Sequence, residues 1–411
     1  MRIFTAVRHS NDPRHFYGGL WSGLFHPALH ALGHQLVESQ TDLLPTSRFM
    51  EIAAGFTREE LEARARTTQA VLDEVRDALR TGPIDLFLCY FYNAHFDPAG
   101  FAELRRLGIP SVNFYCNSIP QFDLVAAIAA QVDFSWHSER DARDRYLAVG
   151  GRPVWVQLAV NPPDQEPPVS RPRQPRACFV GQRYADRDRW IAGLLAAGVT
   201  VDTYGSGWGD ESPLPASPSP SSPGRYLGRP QLRAGSMRSY WHVVTDEITR
   251  TGLLRGAARL YRQWNYRRES QRISPLLRSC ARGRADVVAA VFADYEVVLN
   301  FSNVWSDGRP GSRLVPHVRL RDFEAPMART CYLTGHSDEI AACYDVGREI
   351  ETYRTPEELA DKVRYYLSHP DQAERMREAG YRRARRDHTW GQRFPDLFRQ
   401  IGLTRPAQGR T

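Results

Sequence analysis

The chain is 411 residues long, with a formal charge of +7, 42% apolar and 25% charged residues. At roughly 150 residues per domain this is enough for two domains with sizeable cores, the composition excludes a largely disordered polymer, and no apolar run reaches the roughly 20 residues of a membrane helix. The opening MRIFTAVRHSNDPRHFYGG breaks its apolar run at Arg8 and His9, so it lacks a signal peptide's pattern, and Cys89, Cys116, Cys178, Cys280, Cys331 and Cys343 show no paired spacing. Reduced core thiols and a cytoplasmic location are the expectation.

Along the first half, short apolar strands alternate with amphipathic helices, the signature of a parallel sheet covered on both faces. A strand is predicted at 2–7, a helix at 20–32 ending at Gly33, strands at 84–91 and 110–115 around a helix at 98–107, and further strands at 133–138 and 153–160. The prolines of NPPDQEPPVSRPRQP then predict a linker, with the first domain at 1–165 and the linker proper at 166–176. The alternation restarts with a strand at 177–181, a helix at 186–197 and a strand at 199–205, followed by a Pro/Ser-rich loop at 211–224 and an arginine-rich helical insert at 229–285. Strands at 295–302, 330–334 and 348–353, with helices at 319–329 and 337–344, complete a second domain at 177–388. Thr355, Pro356 and Glu358 spell a capping box for a helix through Ser368, and helices at 370–387 and 391–402 follow. The segment 389–411 is predicted to cross back to the first domain.

Two doubly wound α/β halves bring the carboxyl ends of their strands around one cleft, where such folds bind ligands. Phosphates are held there by glycine turns leading into helix N-termini, because bare N–H groups and the helix dipole favour anions. FVGQRYADR supplies Gly181, Gln182 and the cation Arg183 ahead of a helix, and Gly205, Gly207 and Trp208 follow the next strand in the same position. On the other half, His95 in CYFYNAHFDP follows a strand end facing the cleft, where an imidazole can bond a sugar or exchange a proton with a hydroxyl. Asn93, Asn117, His9, Asp12 and His15 are weaker candidates of the same kind.

The stretch YEVVLNFS, LRDFEAPMA, GREIETYRTPEELADKVRYYLSHP and MREAGYRRARRDHTWGQRF, in that order over 295–394, resembles the C-terminal domain of group 1 glycosyltransferases, and within them the subset that includes the spore maturation protein CgeB. FVGQRYADRDRWIAGLLAAGVTVDTYGSGW resembles the opening of that domain. The N-terminal likeness rests on the first strand, the Gly18-Gly19 loop and the helix ending in ALGHQLVE. The resemblance implies a GT-B fold, two Rossmann-like domains facing an interdomain cleft, and a donor nucleotide sugar (UDP-, GDP- or dTDP-linked) bound without a metal or other cofactor. It gives Glu324 the ribose hydroxyls, through charge-assisted bonds worth about 1.5 to 3 kcal/mol each. Arg321, one turn earlier, would face the diphosphate with Arg183, and Glu324 with His95 would form the catalytic set. Gly18, Gly19, Asn93 and Asn117 would line the acceptor side.

Two positions depart from the family pattern. Pro316 stands where many members carry another glutamate, and Arg329-Thr330 stand where a small residue and glycine usually follow the glutamate helix. Asp186-Arg187-Asp188 mimics the metal-binding Asp-x-Asp of other glycosyltransferases, but its place at a helix start points to capping. Two alternatives remain at this point: a nucleotide-sugar epimerase on the same fold, or a non-catalytic nucleotide-binding protein. The acceptor is open among glycan, lipid-linked, peptide and small molecules.

Between 248 and 270, Leu253, Leu254, Ala257, Leu260, Tyr261 and Trp264 recur at helical spacing among arginines, so a basic amphipathic helix is predicted. Its apolar stripe either packs on the second domain or touches an anionic membrane peripherally, at the inner face. No base-stacking or groove-reading motif accompanies the arginines, so a nucleic-acid partner is not expected.

Overall fold

Two successive runs of apolar strands and amphipathic helices each close into a parallel sheet of their own. The computed structural model describes residues 1–10, 12, 18–50, 55–167, 172–209, 225–226, 229–230, 252–308 and 310–403. The loop expected at 211–224, His15, and the part of the insert at 231–251 lie outside the described residues. One unit takes Met1–Asn161 and His388–Thr411, with Arg225–Arg229; the other takes Pro162–Gly224 and Pro230–Asp387.

In the first unit, β1 (Arg2–Ala6), β2 (Gln35–Glu38), β3 (Leu86–Cys89), β4 (Ser111–Tyr115), β5 (Phe134–His137) and β6 (Pro153–Trp155) form a sheet in the order β2-β1-β3-β4-β5-β6, with every pair parallel. β3 and β4 are buried at every position, as a strand covered on both faces must be. Helix α1 (Leu20–Ala31) stops before Gly33, whose φ of 77° turns the chain, so QLVE is not helical but forms β2. The strand expected at 153–160 joins the sheet only through Trp155, and Val160 pairs separately, in an isolated parallel bridge to Thr389. A helix absent from the sequence reading, α2 (Arg58–Leu79), starts from a complete capping box in which Thr57 and Glu60 satisfy each other's backbone N–H groups. The last helix, Trp390–Gln400, buries Trp390 and Phe394 against Phe25, at 4.8 and 5.3 Å between ring centroids.

In the second unit, β7 (Gln174–Val180), β8 (Val201–Tyr204), β9 (Tyr295–Asn300), β12 (Tyr332–Gly335) and β13 (Glu351–Tyr353) form a parallel sheet in the order β13-β12-β9-β7-β8. A hairpin of β10 (Asn303–Trp305) and β11 (Leu314–Pro316) leaves the carboxyl end of β9. The linker expected to reach residue 176 ends earlier, because Pro175 lies inside β7. The ladder to β9 slips there, between Tyr295↔Gln174 and Val297↔Ala177, and that irregularity accommodates a residue with no N–H to give. Helices α3 (Arg187–Ala196), α4 (Leu253–Arg278), α5 (Arg321–Met327), α6 (Pro356–Ser368) and α7 (Pro370–Asp387) complete the unit. Thr355 caps α6 as expected, while the Glu358 carboxylate accepts from Arg354 N, one residue before the cap.

Strand order reverses between β1 and β3 in one sheet and between β7 and β9 in the other, and crevices form at the carboxyl ends beside such reversals. In the second unit the loop after β7 approaches the loop after β8 so closely that a Cβ on Gly205, where φ is 124°, would stand 2.6 Å from the Gly181 carbonyl oxygen. Gly205→Ala is expected to cost on the order of 3 kcal/mol, from backbone strain and the clash together. Gly33→Ala, whose Cβ meets nothing within 4 Å, is expected to cost only ~1 kcal/mol. Thermal melting of the two variants checks the difference, and equal melting temperatures would remove the Gly181–Gly205 contact as a constraint.

Candidate active site

The loop from β7 into α3 is held by its backbone. Gly181 N–H donates to Tyr204 O (2.8 Å), Trp208 Nε1 donates to Gly181 O (2.7 Å), and Arg183 N–H donates to Ser206 O (2.9 Å). Ala185, fully buried, adopts a left-handed φ of 56° at the turn into the helix, a conformation that L-residues take at a cost. The turn delivers Arg187 to the first position of α3. Its side chain is 5% exposed, lies over the Phe179 and Tyr184 rings at 5.3 and 5.9 Å, and donates from Nη1 to Gln182 O at 2.9 Å. Nε has no partner, and Arg187 forms no ion pair among the described residues. Burial first, and then the like charge of Arg319, pull its pKa down to about 9. It is still a cation at neutral pH; the charge of Asp186 opposes the fall but no carboxylate is in ion-pair contact with it among the described residues, and an arriving anion would offset part of the cost of burying it.

Arg319 comes from the other wall, in the segment that follows the hairpin. The backbone N–H of Arg319 donates to Asp322 Oδ2 at 2.7 Å, and Asp322 Oδ1 accepts from Asn300 Nδ2 (3.2 Å), Tyr332 OH (2.8 Å) and Thr334 Oγ1 (2.9 Å). Buried Asp322 thus ties the first turn of α5 to β9 and β12. Burial raises its pKa, while these bonds oppose the rise. Two residues on, half-buried Glu324 is ion-paired with Arg321, whose guanidinium lies over the Phe292 ring at 5.7 Å. Arg329 takes the left-handed position usual for glycine after a helix, at φ 56°, and turns away to Glu378 (3.1 Å) and the Tyr381 ring (4.5 Å). Pro316 ends β11 opposite Asn303 and offers no carboxylate.

The residues expected from sequence divide accordingly. Gly181, Gln182, Gly205 and Arg183 are brought together by the paired loops, and Arg321 with Glu324 stands on α5. Arg183, however, is already engaged: it pairs with Asp188 (3.0 Å) and donates to Ser274 Oγ (2.8 Å) and Ser270 Oγ (2.6 Å), which ties the loop to α4. The capping expected of Asp186 is also corrected, since its side chain makes no cap bond and instead accepts from Trp190 Nε1 (3.0 Å) and Asn303 Nδ2 (2.7 Å). Arg187 and Arg319, two like charges that the fold brings close together, were not among the residues expected from sequence. Nothing in the spacing says that one arginine of a charged triplet is buried without an ion-pair contact.

In the first unit, His95 lies six residues beyond the end of β3 and is fully buried, with both ring nitrogens engaged within the protein. Tyr92 N–H donates to Nδ1 (3.2 Å), which leaves the proton on Nε2, facing Ser47 Oγ at 3.2 Å. Asn93 is used structurally: Nδ2 donates to Asp123 O (2.9 Å), and Oδ1 accepts from the N–H groups of Ala127 (3.1 Å) and Ile128 (3.2 Å). Asn117 precedes the short helix Ser118–Gln121 without capping it. Gly18 O accepts from His9 N at 2.8 Å, and Gly19 precedes α1 with φ −104°, a conformation that needs no glycine. His9, at the end of β1, stacks on Tyr90 (4.7 Å), meets His95 edge-on (4.5 Å), and donates from Nε2 to Tyr90 O at 2.6 Å.

Residues 249–399 match the family described as glycosyl transferase-like. No curated protein matches the chain in sequence. Among solved structures, the chain is similar to sucrose-phosphate synthase from Thermosynechococcus elongatus (TM-score 0.54, 12% identity, 98% of this chain and 99% of that one). It is also similar to a glycosyltransferase from Rickettsia africae and to Anabaena HepE in complex with UDP-glucose, each at TM-score 0.54 and 10% identity, with 98% of this chain and 99% of the other covered. The fold is GT-B, and the glycosyl transferase-like match lies mostly in the second unit, running on to residue 399 in the first.

The histidine pair gives a pH expectation. Burial holds the His9 pKa down at about 4, and burial with the charge of His9 holds that of His95 well below its usual value. The unfolded chain takes these protons near pH 6.5 and the folded chain does not, so their stabilisation is present above pH 6.5 and is lost as pH falls toward 4. His9 alone is expected to lower stability by about 2 kcal/mol between pH 7 and pH 5. Melting temperatures at the two pH values check this, and His9→Gln should flatten the slope while lowering the plateau.

Proposed function

We propose that the chain transfers a glycosyl group from a nucleotide-sugar donor whose diphosphate is held by Arg187 and Arg319 in the second unit. The observation that carries this reading is Arg187, a buried guanidinium with no ion pair among the described residues, at the N-terminus of a ten-residue helix beside Gly181. Backbone N–H groups, the helix dipole and two cations all favour an anion at that place. Glu324 would accept the ribose hydroxyls by giving up Arg321. That exchange is cheap, because a pair about 30% exposed on each side is worth little in water. Arg321, once released, can follow the diphosphate.

In the reaction the acceptor oxygen bonds the anomeric carbon while the bond from that carbon to the diphosphate oxygen breaks. The electron pair leaves on the diphosphate, and the acceptor hydroxyl gives up its proton. The protein's contribution is orientation and stabilisation of the charge that develops on the leaving group. A metal is not needed in this scheme, since arginines supply the positive charge; one oxygen each of Asp186 and Asp188 is engaged by Trp190 and Asn303 and by Arg183 and Ser270. HepE is described with UDP-glucose, so UDP sugars are the first donors to try, ahead of GDP- and dTDP-linked ones. The order of the motifs over 295–394 supports the narrower CgeB-like placement, and the cytoplasmic location expected from the sequence is kept.

Calorimetry with UDP tests the site. Arg187→Met is expected to melt no lower than the wild type while binding UDP about a hundredfold more weakly. Glu324→Ala is expected to lose on the order of 3 kcal/mol of binding. A destabilised Arg187→Met with unchanged UDP affinity would make Arg187 a structural residue and defeat the proposal. Separately, turnover of a UDP sugar is expected to survive EDTA; loss of activity that manganese restores would show that the site recruits a metal.

A further inference from the structure

Helix α4 faces the second unit with polar groups and faces solvent with apolar ones. On the inner side, Arg259 pairs with Asp307 (2.6 Å), Arg262 Nε donates to Gly311 O (2.9 Å), Tyr266 meets Trp305 edge-on (5.2 Å), and Ser270 Oγ donates to Asp188 (2.7 Å). Only from Ile273 to Cys280 does the segment join the apolar core, with Leu277 fully buried. The helix is therefore fixed without its N-terminal apolar stripe. That stripe points outward: Leu254 is 85% exposed, Tyr261 63% and Trp264 54%. With exposed Ala257 and Ala258 it runs along one ridge at spacings of three and four residues.

The ridge is ordered at its tip. The Tyr261 and Trp264 rings stack at 6.3 Å, and the Arg268 guanidinium lies over Trp264 at 5.4 Å. Exposed Arg267, Arg268 and Arg272 follow at once. Within Leu253–Arg278 there are seven arginines and a single carboxylate, Glu269, which Arg189 occupies at 2.5 Å. Large side chains left in water as a contiguous row on a soluble surface call for an occupant.

We propose that this ridge docks on an anionic lipid bilayer, with Leu254, Tyr261 and Trp264 at the headgroup level and Arg267, Arg268 and Arg272 on the lipid phosphates. Two observations favour lipid over an acidic protein. The ridge is one convex helix face rather than a groove, which suits a deformable planar surface. Its composition of Trp, Tyr and Leu beside arginine is that of interfacial helices, where rings sit at the boundary and guanidinium groups reach the charge. Arg259 and Arg262 are excluded from the lipid-facing set because the hairpin holds them. The proposal does not depend on the donor site, which is on other elements of the unit.

The test is co-sedimentation of the full chain with vesicles of phosphatidylcholine alone and of phosphatidylcholine with phosphatidylglycerol, at low and high salt, with UDP affinity measured in parallel. Wild type is expected in the pellet only with the anionic vesicles at low salt. Arg267→Glu/Arg268→Glu/Arg272→Glu and, independently, Tyr261→Ser/Trp264→Ser are each expected to lower the bound fraction about tenfold or more, with melting temperature and UDP affinity unchanged. The conservative Trp264→Phe should retain binding. No sedimentation with anionic vesicles, or equal sedimentation with neutral ones, would overturn the proposal. So would loss in the charge-reversed protein with full binding by Tyr261→Ser/Trp264→Ser, which would point to an acidic macromolecule. A failure of UDP to bind any of these proteins would bear on the donor reading alone.

Discussion

Four donors converge on one buried carboxylate, and the geometry of the second unit's crevice follows from it. Asp322 takes bonds from a strand β9 amide, two hydroxyls of β12 and the backbone of Arg319, so the helix carrying Glu324 and the segment carrying Arg319 are tied to the sheet through a single group. Tyr344 OH adds a bond to the Asp322 carbonyl at 2.9 Å. A carboxylate taken out of water would ordinarily protonate or move outward. Here its surroundings meet both oxygens, so a charge that burial penalises is converted into a fixed point.

The opposite wall is fixed by close packing of backbone rather than by charge. Gly181 and Gly205 let two loops touch, the turn passes through Ala185 in a strained conformation, and the result is a buried arginine with no ion-pair contact among the described residues. Strain and a buried cation on one short loop are both unfavourable to folding, and both are of the kind that persists at binding sites. The stable parts of the unit, the apolar core between sheet and helices and the Asp322 network, carry that penalty.

Much of this architecture was legible in the sequence because its signals are local. The strand–helix alternation, the Thr355 cap before Pro356 and the glycine that ends α1 depend on neighbours only a few residues away. What was not legible depends on the tertiary surroundings. His95 looks like a strand-end imidazole, but its availability depends on Ser47, forty-eight residues earlier. Arg183 and Arg187 are near-equivalent in a string of charges, and only the packing of α4 decides which is consumed. The stripe Leu254, Ala257, Tyr261, Trp264 was correctly periodic, yet periodicity gives a face and not its direction. That direction was set by Arg259, Tyr266 and Ser270, residues that a hydrophobicity pattern counts as the solvent side. Pro175 argued against a strand by its chemistry, and a local slip in pairing admitted it.

The first unit is assembled from two stretches that flank the second unit in sequence, and this has a consequence for how it is made. Trp390 is fully buried against Phe25 and Trp136, and Val160 exchanges backbone bonds with His388 and Trp390, so the first sheet's aromatic core is finished by residues that follow the whole second unit in the chain. On a ribosome, the second unit has all of its sequence before the first has its final helix. Nascent chains would therefore hold a complete second domain beside a first domain whose Trp21, Phe25 and Trp136 still lack their partners. A chain cut before Trp390 would leave Trp21, Phe25 and Trp136 without the ring that packs against all three, so the stability of the first sheet depends on a helix encoded beyond the whole of the second unit.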